Sequence, residues 1–129
     1  AILTDFAETH FTTGRFEECA QRINTLLEKP AHPAGIKAAL RAIELADLLV
    51  LNQAGQVPAK LEALIAQVRR QPTEFKVEWS FNGTRHFIAQ NERLATYRAW
   101  LGDLFDALAG KDREAILKGL QQARATFKQ

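Results

Sequence analysis

The chain has 129 residues, 47% hydrophobic and 25% charged, the proportions of one globular domain able to hold a core without disulfides or metals. Its 17 basic and 15 acidic residues leave a formal charge of +2, mixed along the chain, which excludes the basic stripe that a nucleic-acid partner needs. No apolar run approaches a membrane span, no signal peptide is visible, and the single cysteine, Cys19, excludes an intrachain disulfide and favours a cytoplasmic setting. Methionine is absent, which sets the expectation of a processed chain or a piece of a longer one.

Residues 2–13 place Leu3, Phe6, Ala7 and His10 on one face, the spacing of an amphipathic helix. Gly14 can leave that helix in the left-handed conformation. A second helix over 16–29 carries Phe16, Cys19, Ala20, Ile23, Leu26 and Leu27 and ends before Pro30. Residues 34–53 predict a longer helix. Ile36, Leu40, Ile43 and Ala46 form one apolar face, and Leu45, Leu48, Leu49 and Leu51 a second, the pattern of a central helix. It stops at Asn52-Gln53-Ala54-Gly55. Pro58 suits the first turn of a fourth helix with Leu61, Leu64, Ile65 and Val68, which ends by Gln71-Pro72.

At Thr73 the period changes. Phe75, Val77, Trp79 and Phe81 alternate with Lys76, Glu78 and Ser80, the period of a strand. Asn82-Gly83 is a strong hairpin-turn signal, so Thr84–Ile88 is expected to return as a second strand. Helical periodicity resumes after Asn91, a good N-cap, with Leu94, Tyr97, Leu101, Leu104, Phe105 and Leu108 in one stripe ended by Gly110. Asp112 caps a last helix with Ile116, Leu120, Ala123 and Phe127. The expected fold is one mainly α domain over residues 1–129. It has three helical hairpins and an inserted two-stranded β-hairpin at about 75–88. The helix over 91–109 is expected to cover the aromatic face of the β-hairpin, with its free edge open to a partner.

Residues 1–31 carry a pattern of their own. Leu3, Phe6-Ala7 and His10 occupy the first helix, Gly14-Arg15-Phe16-Glu17-Glu18 the turn, Cys19 a small position and Ile23 a later apolar one, with Pro30 closing the unit. This arrangement resembles the tetratricopeptide repeat, in which small residues let paired helices approach and large ones fill the flanks. Leu101-Gly102, Phe105 and Gly110 echo it over 97–120. The glycine turns at 14, 55 and 110 are unevenly spaced, whereas that family repeats every ~34 residues. The resemblance implies a stack of helix pairs offering a concave surface to a peptide or partner protein. The lining residues would be Asp5, Thr9 and Thr12 on the first helix and Lys37, Arg41 and Glu44 on the third. Lys37 and Arg41, one turn apart, would clamp a carboxylate.

Other chemistry has little support in the residues. His10, His32 and His86 fall on separate elements with no metal-ligand spacing, so no metal and no cofactor are expected. Cys19 reads as a small core residue. Phosphate loops, nucleophile elbows and zinc-protease motifs are absent, and no catalytic residue is named. Glu17-Glu18 and Asp103/Asp106 read as solvated faces, and Arg69-Arg70 as a complement to a helix dipole. Asn82-Gly83-Thr84 fits the glycosylation acceptor pattern but is explained by the turn.

The leading expectation is therefore a non-enzymatic interaction module that binds neither nucleic acid nor membrane. One alternative is a structural or self-associating segment of a larger protein, pairing through the β-hairpin edge. Another is a small-ligand binder or enzyme with a pocket between hairpin and helices, lined by His86, Glu78 and Arg85.

Overall fold

A computed structural model describes residues 2–128 of the chain. They form seven α-helices: α1 Ile2–Thr12, α2 Phe16–Leu27, α3 Ala34–Val50, α4 Val57–Arg69, α5 Asn82–Gln90, α6 Arg98–Leu108 and α7 Arg113–Thr126. Short 3-10 turns at Ala54–Gln56 and Glu92–Tyr97 lead into α4 and α6.

The helix ends follow local chemistry. Gly14 takes φ 82 after α1. There Arg15 N–H donates to the His10 carbonyl at 2.9 Å and Gly14 N–H to Phe11 at 3.2 Å. That pairing is a Schellman cap, which uses up otherwise orphaned carbonyls. Asn52 does the same for α3 with φ 61, where Gln53 N–H reaches the Leu48 carbonyl at 2.8 Å. Asp112 caps α7 by accepting from Ala115 N–H at 2.9 Å, and Asn91 accepts from Arg93 N–H at 2.9 Å. Pro58 sits in the first turn of α4, where its missing N–H costs nothing.

The two apolar faces of α3 make it the central helix. It is buried almost continuously from Ala38 to Val50 and contacts α1, α2, α4 and α6. Beyond it α4 packs on α7, α7 packs on α6, and α5 touches both α1 and α6. The third helical hairpin, α6 and α7, therefore packs on the second, and α5 bridges it to α1. The core face of α1 is Thr4, Ala7 and Phe11, all buried, while Phe6 is left outside. Of the expected face of Leu3, Phe6, Ala7 and His10, Ala7 is buried and Leu3 packs against the core, Phe6 turns outward, and Phe11 joins the core in its place.

The β-hairpin does not exist: the described residues contain no strand. Residues 75–81 belong to no helix or strand, and their burial does alternate. Val77 and Phe81 are buried, Phe75 and Trp79 are half-buried, and Lys76, Glu78 and Ser80 are exposed. The apolar side of this segment lies on helices, with Phe81 stacked on Phe105 of α6 at 4.8 Å between ring centroids. Its start is fastened to α7, since Arg113 N–H donates to the Thr73 carbonyl at 2.9 Å and Arg113 Nη1 to Gln71 at 2.8 Å.

The presumed turn, Asn82-Gly83, opens α5, and the presumed return strand is that helix. Phe81 makes the reversal in the left-handed region, φ 58. A carboxylate from α1 then caps the new helix, with Glu8 Oε2 accepting from Thr84 N–H at 3.0 Å and from its hydroxyl at 2.6 Å. With the hairpin gone, so is the free edge expected to pair two copies.

Candidate functional site

On α1 and the turn that ends it, a spacing of four aligns Asp5, Thr9 and Thr13 in one row and Phe6 and His10 in the next. Together with Arg15, just past the Gly14 turn, these residues line an open depression of about 520 Å³. Phe6 is its apolar element. At 46% exposure it is the one large hydrophobic side chain left exposed among the described residues. Its ring is bracketed by the His10 imidazole, 4.6 Å between centroids, and the Arg22 guanidinium from α2, 4.9 Å from the ring centroid. A cation over an aromatic face is attracted by the ring quadrupole, so Arg22 and Phe6 hold each other in place.

Hydrogen bonds fix the surroundings. His10 Nδ1 lies 2.8 Å from the Phe6 carbonyl, and its Nε2 lies 3.9 Å from Glu18 Oε2. Arg15 Nη1 reaches the same Glu18 oxygen at 3.9 Å. Thr13 donates its hydroxyl to the Thr9 carbonyl at 2.7 Å, and Thr12 to the same carbonyl at 3.4 Å. The result is an aromatic plate with donors and acceptors of both signs on its rim. It suits an apolar side chain of a partner flanked by polar backbone.

Of the six residues expected to line one groove, only Asp5 and Thr9 line this depression. Thr12 is half-buried beside it. On α3, Lys37 is half-buried in the first turn, and Arg41 and Glu44 turn toward α4. Arg41 is half-buried and donates Nε to Gln67 Oε1 at 2.7 Å, while Gln67 Nε2 donates to the Ala34 carbonyl at 2.8 Å. Glu44 is 2% exposed and lies 3.5 Å from Lys60 Nζ. Arg41 Nε is thus committed to tying α3 to α4. The sequence hides this, since Arg41 and Glu44 occupy polar-looking positions on a helix that is buried nearly all round.

The buried end of α3 holds an acid pair one turn apart. Asp47 is 0% exposed, and neither of its carboxyl oxygens has a hydrogen-bond partner; Glu44 Oε1 is likewise unpartnered. Burial pushes the Asp47 carboxyl up to about 7, against the lowering influence of the nearby Cys19 thiol and with a further rise from Glu44. Glu44 is also raised by burial, opposed by Lys60 and Arg41. The Cys19 thiol, fully buried on α2, donates to the Ala7 carbonyl at 3.5 Å. Burial, then the Asp47 charge, holds it far above an ordinary thiol. It lacks the thiolate character that a nucleophile needs. Among the described residues no three His, Cys, Asp or Glu side chains converge on a possible metal position.

His86, Glu78 and Arg85 do not form the pocket considered for a small ligand. His86 is exposed on α5 and Arg85 bonds Asp106 Oδ1 at 2.8 Å. Glu78 lines a separate depression beside the start of α3. No helix of the described residues is long and apolar enough to cross a membrane.

Protein-family models, curated proteins and solved structures offer no match to this chain.

Proposed function

We propose that the chain is a non-enzymatic interaction module, similar to tetratricopeptide-repeat domains, that binds a peptide or partner protein on the outer face of α1 and α2. The observation that carries this reading is Phe6. A domain that buries Phe11, Phe81 and Phe105 leaves this one ring in an open, polar-rimmed depression and braces it with His10 and Arg22. An aromatic anchor flanked by arginine is the composition typical of binding hot spots. Half of the first-helix pattern that resembles the repeat family, Phe6 and His10, lies on this face.

The test is a selection of random peptides against the whole chain, followed by affinity measurement on wild type, Phe6→Ala and Arg22→Ala. Selected peptides are expected to share an apolar anchor residue. Phe6→Ala should weaken them by ~1–2 kcal/mol, about tenfold, with helical content unchanged. Peptides that bind Phe6→Ala as tightly as wild type, or a selection that enriches nothing, would remove this reading.

A further inference from the structure

Gly102 sits inside α6, where glycine weakens a helix relative to alanine. Close packing does not require it, since a Cβ at this position meets nothing within 4 Å. Gly119 on α7 is the contrast: a Cβ there would lie 2.4 Å from the Ala107 Cβ. What Gly102 does is leave open the floor of a cleft of about 210 Å³ between α5 and α6. Ala89 and Gly102 face it, with Ile88, Leu101 and Phe105, all buried, beneath them.

Two guanidinium groups line the same cleft, and both are pinned. Arg98 donates Nε to the Ile88 carbonyl and Nη2 to the Asn91 carbonyl, each at 3.0 Å. Arg85 donates Nη2 to Asp106 Oδ1 at 2.8 Å, and its guanidinium lies 5.6 Å from the Phe105 ring centroid. Neither uses Nη1 in a hydrogen bond to the described residues. The acids near them, Asp106 and Glu92, are strongly exposed and do not line the cleft. Both guanidiniums are thus paired from the solvent side, Arg85 with Asp106 at 2.8 Å and Arg98 with Glu92 at 3.7 Å, while no acid lines the cleft itself.

We propose that this cleft binds a small aromatic monocarboxylate. The ring lies over Gly102 and Ala89, above the buried Ile88, Leu101 and Phe105, and the carboxylate sits between Arg85 and Arg98. Guanidinium groups match a planar carboxylate by paired N–H donors. Sites for drug-sized ligands run to ~300–1,000 Å³, so this smaller volume selects a single ring. The site is separate from the α1–α2 face, and its success or failure leaves the reading of that face untouched.

Phenylacetate is the probe, titrated into the full chain while backbone amide resonances are followed. Saturable shifts are expected at Ala89, Leu101, Gly102 and Phe105. Gly102→Leu, which fills the floor with a better helix former, should fold and bind at least ~tenfold more weakly; Gly102→Ala should fall between. Arg85→Gln and Arg98→Gln should each weaken binding, as should replacing the probe by neutral 2-phenylethanol. Three results would overturn the assignment: no saturable shift, unchanged affinity in Gly102→Leu, or equal binding of 2-phenylethanol. Tighter binding of a peptide ending in phenylalanine would overturn it too, by assigning the cleft to a partner chain.

Discussion

Asp47 shows what a single buried carboxyl does to the stability of this domain. Unfolded, it titrates near 3.8; in the fold burial moves it to about 7. Between those values the unfolded chain carries the charge while the folded one keeps the proton, so the folded state binds more protons. Stability is then highest at low pH, falls as pH rises through this window, and levels off above about 7. Glu44, displaced in the same direction, adds to the fall. At ~1.4 kcal/mol per pH unit of displacement, the Asp47 contribution is roughly 4 kcal/mol. Asp47→Asn keeps the shape and cannot ionise. Urea unfolding followed against pH should show the wild type losing stability from acid to neutral pH, and Asp47→Asn holding a flatter profile and exceeding it at about pH 8. A wild-type profile flat across that range would rule the account out. Cys19 belongs to the same cluster, and its burial was readable from its place among apolar residues on α2. The acids were not, because nothing in their local spacing separates a buried α3 carboxylate from a solvated one.

At the scale of the element, α5 is where local and long-range preferences part. Its opening residues, Asn82-Gly83, favour a hairpin turn as readily as a helix start. Two distant contacts decide for the helix. Glu8 of α1 accepts both the backbone N–H and the hydroxyl of Thr84, supplying the cap that Phe81 lacks. Phe81 meanwhile gains a buried, stacked position on Phe105. Left-handed backbone at a bulky residue costs on the order of 1–3 kcal/mol, which burial of the Phe ring, about 1.5–3 kcal/mol, and its stacking on Phe105, about 0.5–1.5 kcal/mol, together offset. Glu8→Ala should cost ~1–2 kcal/mol in chemical denaturation, and hydrogen exchange should speed up in α5 while α7 stays protected. Uniform loss of protection in both helices would deny Glu8 its local role. The alternation at 75–81 was a sound guide to which side chains are buried. It misled about the partner, because a period of two reports an extended chain with one covered face. Helices cover that face here as well as a second strand would.

At the scale of the molecule, several local features are legible: the Gly14 turn, the Asn52 and Asp112 boundaries and the two-faced α3 follow from residues within a few positions of each other. The way the third hairpin returns was not, since it depends on surfaces that meet only after folding. The α6–α7 seam shows how tightly that return is set. Trp100 Nε1 donates across it to the Ala123 carbonyl at 2.8 Å, and Gly119 faces the Ala107 Cβ with no room for a methyl group. Since α7 also packs on α4, any widening of the seam is passed to the rest of the bundle. Two glycines on facing helices therefore separate propensity from packing. Alanine gains ~0.5–1 kcal/mol over glycine in a helix interior. Gly102→Ala meets no atom and should collect that gain as a higher melting temperature. Gly119→Ala earns the same local preference but places its Cβ 2.4 Å from Ala107 Cβ and 2.9 Å from Ala107 Cα. The second of these is backbone, which no rotamer change can move aside. Overpacking of this kind costs ~1–3 kcal/mol, more than the helix gains, so the melting temperature should fall. Thermal unfolding of the two variants thus carries opposite signs for the same substitution. A rise in both would mean that α6 and α7 are not in the close register that brings the third hairpin back onto α4.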